Sequence, residues 1–84
     1  MMEIVKLVKS LDQSFSLKKA YVNQSNIVSV EEDDGTTVLF SERPELFPEG
    51  LDNRQTFSMI SISGGTGTNY ITVVGSPEII SSKV

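Results

Sequence analysis

The sequence predicts an all-β fold, a small twisted antiparallel sheet or SH3-like barrel of five to six strands finished by a short C-terminal helix. Three observations carry that expectation. Gln55 to Ile80, QTFSMISISGGTGTNYITVVGSPEII, sets two apolar extended runs on either side of a glycine-rich turn and stops them with Ser-Pro-Glu. Ser14 to Val22 alternates Phe15, Leu17, Lys19 and Tyr21 against Ser16, Lys18, Ala20 and Val22, the period of two expected of a strand with distinct faces. Finally, 84 residues make one thin core, burying roughly 60–65% of the surface that the unfolded chain exposes. Residues 1–84 are therefore read as a single small β domain with an irregular loop over 41–54.

Each element has its own local reason. In MEIVKLVKSL, the apolar residues Ile4, Val5, Leu7, Val8 and Leu11 fit one face of a helix, but the β-branched content and interleaved lysines favour a strand. Asp12, Gln13 and Ser14 read as the turn into the strand Ser14 to Val22. Asn23 to Asn26 are turn formers, and Ile27, Val28 and Val30 mark a third extended segment. Asp34-Gly35 then signals a hairpin, because Gly takes positive φ freely and Asp tolerates it, with Thr36 to Phe40 as the return strand. From Ser41 to Asn53 no period holds; Pro44 and Pro48 bracket a loop too apolar to be a linker, expected to pack on the sheet or on a neighbouring subunit. Phe57, Met59, Ile60 and Ile62 change phase between Met59 and Ile60, consistent with a bulge or with cover on both faces. Ser76, Pro77 and Glu78 supply an N-cap, a proline at N1 and an acid in the first turn of a helix to about Lys83, which would seat Ile79 and Ile80 on the sheet.

Composition excludes several chemistries. With no Cys and no His, the chain has no disulfide, no thiolate, no structural zinc and no histidine general base. Met1-Met2 is followed at once by Glu3, so no basic leader and no long apolar run are read, and a soluble cytoplasmic protein is expected with no membrane partner. The net charge of −4 is concentrated in residues 24–55, where eight acids face Arg43 and Arg54. Phosphate recognition rests on clustered Lys and Arg, so nucleic acid is a disfavoured partner, whereas an acidic segment suits a basic surface or simple solubility. A deep pocket would consume so small a core, which directs any ligand site to the surface or to a subunit interface.

The motifs resolve mostly into structural readings. Gly64, Gly65, Thr66 and Gly67 would cradle a phosphate only at a helix N-terminus, and here the glycines lead into a strand with no Gly-Lys-Ser/Thr after them. Glu31-Glu32-Asp33-Asp34-Gly35 resembles a calcium loop, but aligning Gly35 with the loop glycine puts Val30 and Ser41 at the two end ligand positions. Ser16-Leu17-Lys18-Lys19 matches Ser-x-x-Lys, a chance match among 12 serines. Lys18, Lys19 and Tyr21 form a thin footprint for single-stranded nucleic acid. No metal or cofactor is implied.

The stretches Ala20 to Glu32, containing YVNQSNIVSVEE, and Phe57 to Ile80, containing ITVVGSPEII, resemble the small FlbD-type flagellar proteins and similar short phage-encoded proteins. The match covers less than half of the chain and departs over Asp33 to Arg54, which is too long for that family's turn. The resemblance implies a compact barrel-like β module without catalysis and transfers no functional residue.

These readings converge on a non-enzymatic binding or assembly module, viral or accessory, that contacts a protein partner or itself as a homo-oligomer. Its candidate interface is Phe40, Arg43, Leu46, Phe47 and Leu51. The alternative is an oligomeric binder or sponge for a small nucleotide using Gly64, Gly65, Thr66 and Gly67 with Lys18 and Lys19 from a neighbouring subunit. A single-stranded nucleic-acid-binding barrel is the third reading. Carboxylates, lysines and tyrosines with nothing visible to shift their pKa values leave little for an enzyme.

Overall fold

The computed structural model describes residues 1–52, 54–64 and 67–82. Five strands, β1 (Met2–Lys9), β2 (Phe15–Val22), β3 (Ile27–Glu32), β4 (Phe57–Gly64) and β5 (Gly67–Val74), form one antiparallel sheet in the order β2-β1-β5-β4-β3. Two helices accompany it, α1 (Asp34–Glu42) and α2 (Pro77–Ser81), with short 3-10 turns at Gln24–Asn26 and Pro44–Leu46. The N-terminal segment is thus a strand, paired in unbroken register with β2 from Met2↔Val22 to Lys9↔Phe15. Gln13 adopts φ 73° in the connecting turn. There the Asp12 carboxylate accepts from the Ser14 hydroxyl at 2.6 Å and the Ser14 N–H at 3.1 Å, and these bonds hold its pKa below the ordinary value.

Both faces of the sheet are covered. On the concave face Met2, Ile4, Ile60, Val73 and Ile80 form a buried cluster, against which pack Ala20 and Val22 from one edge and Ile27 and Val30 from the other. Ala20 stands opposite Ile4 and Val30 opposite Ile60 on the adjacent strands, so each edge joins the cluster through its own neighbour. On the convex face the four phenylalanines of the chain meet: Phe15 stacks on Phe47 with ring centroids 4.7 Å apart, and Phe40 meets Phe47 and Phe57 edge-on at 5.0 and 5.8 Å. β4 lies between the two clusters, with Phe57 under α1 and Ile60 under α2, and its ladder to β5 is continuous from Phe57↔Val74 to Gly64↔Gly67. Cover on both faces, not a bulge, explains the phase change at Met59-Ile60.

The expected hairpin at Asp34-Gly35 is absent, and Thr36 to Phe40 is helix, not strand. Asp33 makes the difference. Its carboxylate accepts from the Thr36 N–H at 3.1 Å, the Thr36 hydroxyl at 2.8 Å and the Thr72 hydroxyl of β5 at 2.9 Å. The first of these is an N-cap bond, and Asp34 adds an acid to the first turn, where the helix dipole favours it. Helical spacing then turns Phe40 inward and leaves Val38 exposed. In a strand, Thr36, Val38 and Phe40 would have shared one face. The weak helix propensity of Gly-Thr-Thr-Val is overridden by the cap and by burial of Phe40.

The C-terminal helix starts where Ser-Pro-Glu predicts and ends at Ser81. It buries Ile80 and leaves Ile79 half exposed, so one isoleucine, not two, seats on the sheet. Gly75 makes that seat: it holds φ +119°, and a Cβ there would lie 3.4 Å from Ile80 Cδ1. The buried Ser58 hydroxyl donates to the Gly75 carbonyl at 2.7 Å, fixing the entry to the helix from below.

Two outcomes are expected. Asp33→Ala loses the cap and the Thr72 bond and lowers stability by about 1–2 kcal/mol in urea unfolding. Burial raises the Asp33 pKa, but the hydrogen bonds from Thr36 and Thr72 together bring it below the ordinary 3.8. A depressed folded pKa means that the carboxylate's contribution is full above the unfolded value and fades as pH falls through the folded one. The Asp33→Ala deficit therefore shrinks in acid; a deficit constant down to pH 2 would refute this assignment. Phe57→Ala removes a fully buried ring and costs about 3–5 kcal/mol, much of the stability of so small a domain, read as a collapse of the melting transition.

Candidate functional site

The strand order leaves β2 and β3 at the edges, and the two edges differ. Because the chain enters a helix after Asp33, no strand among the described residues pairs with the outer side of β3. An open groove of about 380 Å³ runs beside it, lined by Ile27, Val28, Ser29, Val30 and, from α2, Ser81. Val28 is 64% exposed at a register shift in the β3–β4 ladder between Ile27 and Ser29. Glu31 and Glu32 follow, exposed, and Asp34 adds a third exposed acid at the start of α1. Unpaired strand N–H and C=O groups beside exposed apolar side chains are what an added strand needs: main-chain bonds for affinity and alternate side-chain contacts for specificity.

The β2 edge carries Lys18 and Lys19, both exposed, on opposite faces of the strand. Lys19 lies 3.6 Å from Glu3 across the β1–β2 ladder. Lysines along an edge oppose pairing with a like edge, so β2 resists pairing with a second β2.

The sequence-derived candidates fall in three places. Phe40 and Phe47 are buried within the protomer, and Leu46 and Leu51 pack half-buried against them, so this apolar loop closes the convex core instead of facing a partner. The rings of Phe40, Phe47 and Phe57 meet within the protomer. Arg43 is exposed and engaged with Glu45, whose carboxyl it holds below the usual range through their hydrogen bond; the same bond raises the Arg43 pKa. Gly64 and Gly67 are exposed at the far end of the β4–β5 hairpin, while Gly65 and Thr66 lie outside the described residues. Lys18 pairs with Lys6 and Lys6 with Val73, six residues along β5 from Gly67, so the lysines and the glycine turn are about 20 Å apart along the strands. One protomer does not bring them together.

Sequence reasoning missed Ile27 to Glu32 as an available edge. Pairing β3 with a return strand at Thr36 to Phe40 would have covered it. The signal that exposes it is Asp33 three residues before Thr36, an N-cap pattern hidden by the more familiar Asp-Gly hairpin pair. Among the described residues no group of three or more acidic side chains is placed to hold a metal ion, and no helix is long and apolar enough to cross a membrane. No family model, curated protein or solved structure matches the chain.

Hydrogen exchange will separate the strands. Amides of β4, bonded between β5 and β3, should be among the slowest in the protein, and β3 should contain fast amides alternating with slow ones. Uniform protection along β3 would mean that its outer edge is covered.

Proposed function

We propose that this chain is a non-enzymatic binding or assembly module that takes up an extended segment of another protein, or of another copy, along the outer edge of β3. The observation that carries the reading is the free edge itself, flanked by a groove and by exposed Val28. Two features support it further. The protein's acidic charge gathers at the end of this edge, which favours a basic or lysine-bearing segment over nucleic acid. The available overlap is short, since β3 has six residues, and a contact of that size belongs with small, reversible interfaces. A viral or accessory role, and kinship with the FlbD-type proteins, belong to the same proposal.

Val28→Lys tests the reading, because it places a charge on the edge at an exposed position where the cost to folding stays within about 0.5 kcal/mol. With unchanged circular dichroism and melting, the variant should lose the associations that the wild-type chain makes, both with itself in native mass spectrometry and with proteins retained from lysate. Equal retention by both forms, or none by either, would sink the proposal.

A further inference from the structure

We infer that the segment received by the β3 edge is the β2 edge of a second copy, so that the protein assembles head to tail. This rests on the binding reading above and names its partner. Charge chooses between the possible edge pairs. A two-fold antiparallel pairing of β2 with itself places a residue near the strand's centre opposite its own copy, and for Phe15–Val22 those central residues are Lys18 and Lys19. Like charges directly opposed are destabilising. The β3 edge carries the complementary sign, in Glu31 and Glu32, and among the described residues neither glutamate makes an ion pair, while the Lys19–Glu3 contact is exposed and weak.

Geometry then fixes the orientation. Every adjacent pair in the sheet is antiparallel, and five is an odd number, so β2 and β3 run in the same direction. A second copy that continues the sheet with its concave face on the same side therefore lays β2 parallel to β3. Side-chain alternation must also match across the junction. Glu31 lies opposite Met59 on the convex face and Lys19 lies on the Phe15 face, which is also convex, so these two can stand side by side. Lys18 then lies beside Val30 on the concave face, with Glu32 one step further along. The register shift at Ile27/Ser29 leaves Ser29 to Glu32 as the regular part of the edge, and that stretch meets Leu17 to Ala20. The pairing uses one edge of each copy, so a dimer keeps one free edge of each sign and growth continues past it until a ring closes.

Two double variants test this, Lys18→Glu/Lys19→Glu and Glu31→Lys/Glu32→Lys, each checked for fold by circular dichroism and followed by light scattering and sedimentation across a concentration series. The wild-type mass should rise beyond that of a dimer at low salt and return to the monomer at about 1 M salt, where the Debye length is about 3 Å. Each variant alone should stay monomeric, and an equimolar mixture should regain the assembly, because each supplies the sign that the other lacks. If a reversal prevents folding, the neutral pairs Lys18→Gln/Lys19→Gln and Glu31→Gln/Glu32→Gln should each weaken assembly. A wild-type mass that stops at the dimer and ignores the lysine variant would overturn the inference in favour of symmetric β3 pairing. A wild-type monomer under all conditions would also overturn it, and if Val28-dependent capture of a foreign protein persists, the binding reading survives without it.

Discussion

The carboxylate of Asp33 joins three elements, and much of the molecule follows from that junction. Its backbone N–H donates to Phe57 of β4 at 2.9 Å, its side chain caps α1, and the same side chain receives the Thr72 hydroxyl from the central strand. Thr37 closes the arrangement: its hydroxyl donates to the Asp33 carbonyl at 3.0 Å and accepts from the Phe57 N–H at 3.3 Å. A partly buried carboxylate with this many donors is more favourable charged than neutral, despite the cost of leaving water. The chain is therefore committed to a helix at the point where β3 ends. Phe40 is delivered to Phe57 on the convex face, and β3 is denied a second strand neighbour.

That commitment reconciles a small chain with a sheet buried on both sides. A domain of this size cannot build two full layers over a five-stranded sheet. The solution is asymmetric. On the concave face the single turn-and-a-half of α2 adds Ile80 to Ile4, Ile60 and Val73, and half-buried residues of both edge strands pack around them. The convex face is covered by Phe40 of α1 and by Phe47 just after the 3-10 turn, each ring covering more area than an aliphatic side chain.

Much of this was legible in the sequence, and the failures have a common cause. Period two revealed β2, the glycine-flanked apolar runs revealed β4 and β5, and Ser76-Pro77-Glu78 revealed α2, because in each case local preference and tertiary role agree. The segment from Asp33 to Phe47 was misread because its local cues conflict. Asp-Gly and the β-branched Thr-Thr-Val argue for a hairpin; the Asp33 cap and the aromatic burial argue for a helix, and only the latter pay off once Thr72 and Phe57 are in place, 39 and 20 residues downstream of their partners. The same misreading hid the candidate site. Apolar residues in an irregular loop looked like an interface because their ring partners, Phe15 and Phe57, are distant in sequence.

The two edges show how function can be separated from stability in such a fold. Natural sheets blunt their edges with charge, bulges and short strands, and both edges here carry charge. What differs is its sign. If charge served only to prevent pairing, either sign would do, and lysine would suffice on both edges as it does on β2. In the proposed assembly, glutamates on β3 and lysines on β2 repel like edges while leaving unlike edges compatible, so the same residues would both prevent indiscriminate stacking and specify one permitted contact. The register shift at Ile27/Ser29 acts in the same direction by shortening the regular edge to the part that bears the charges. In the proposed assembly, specificity is a matter of which edge is refused, and the acidic end of β3 is where refusal and acceptance would be decided.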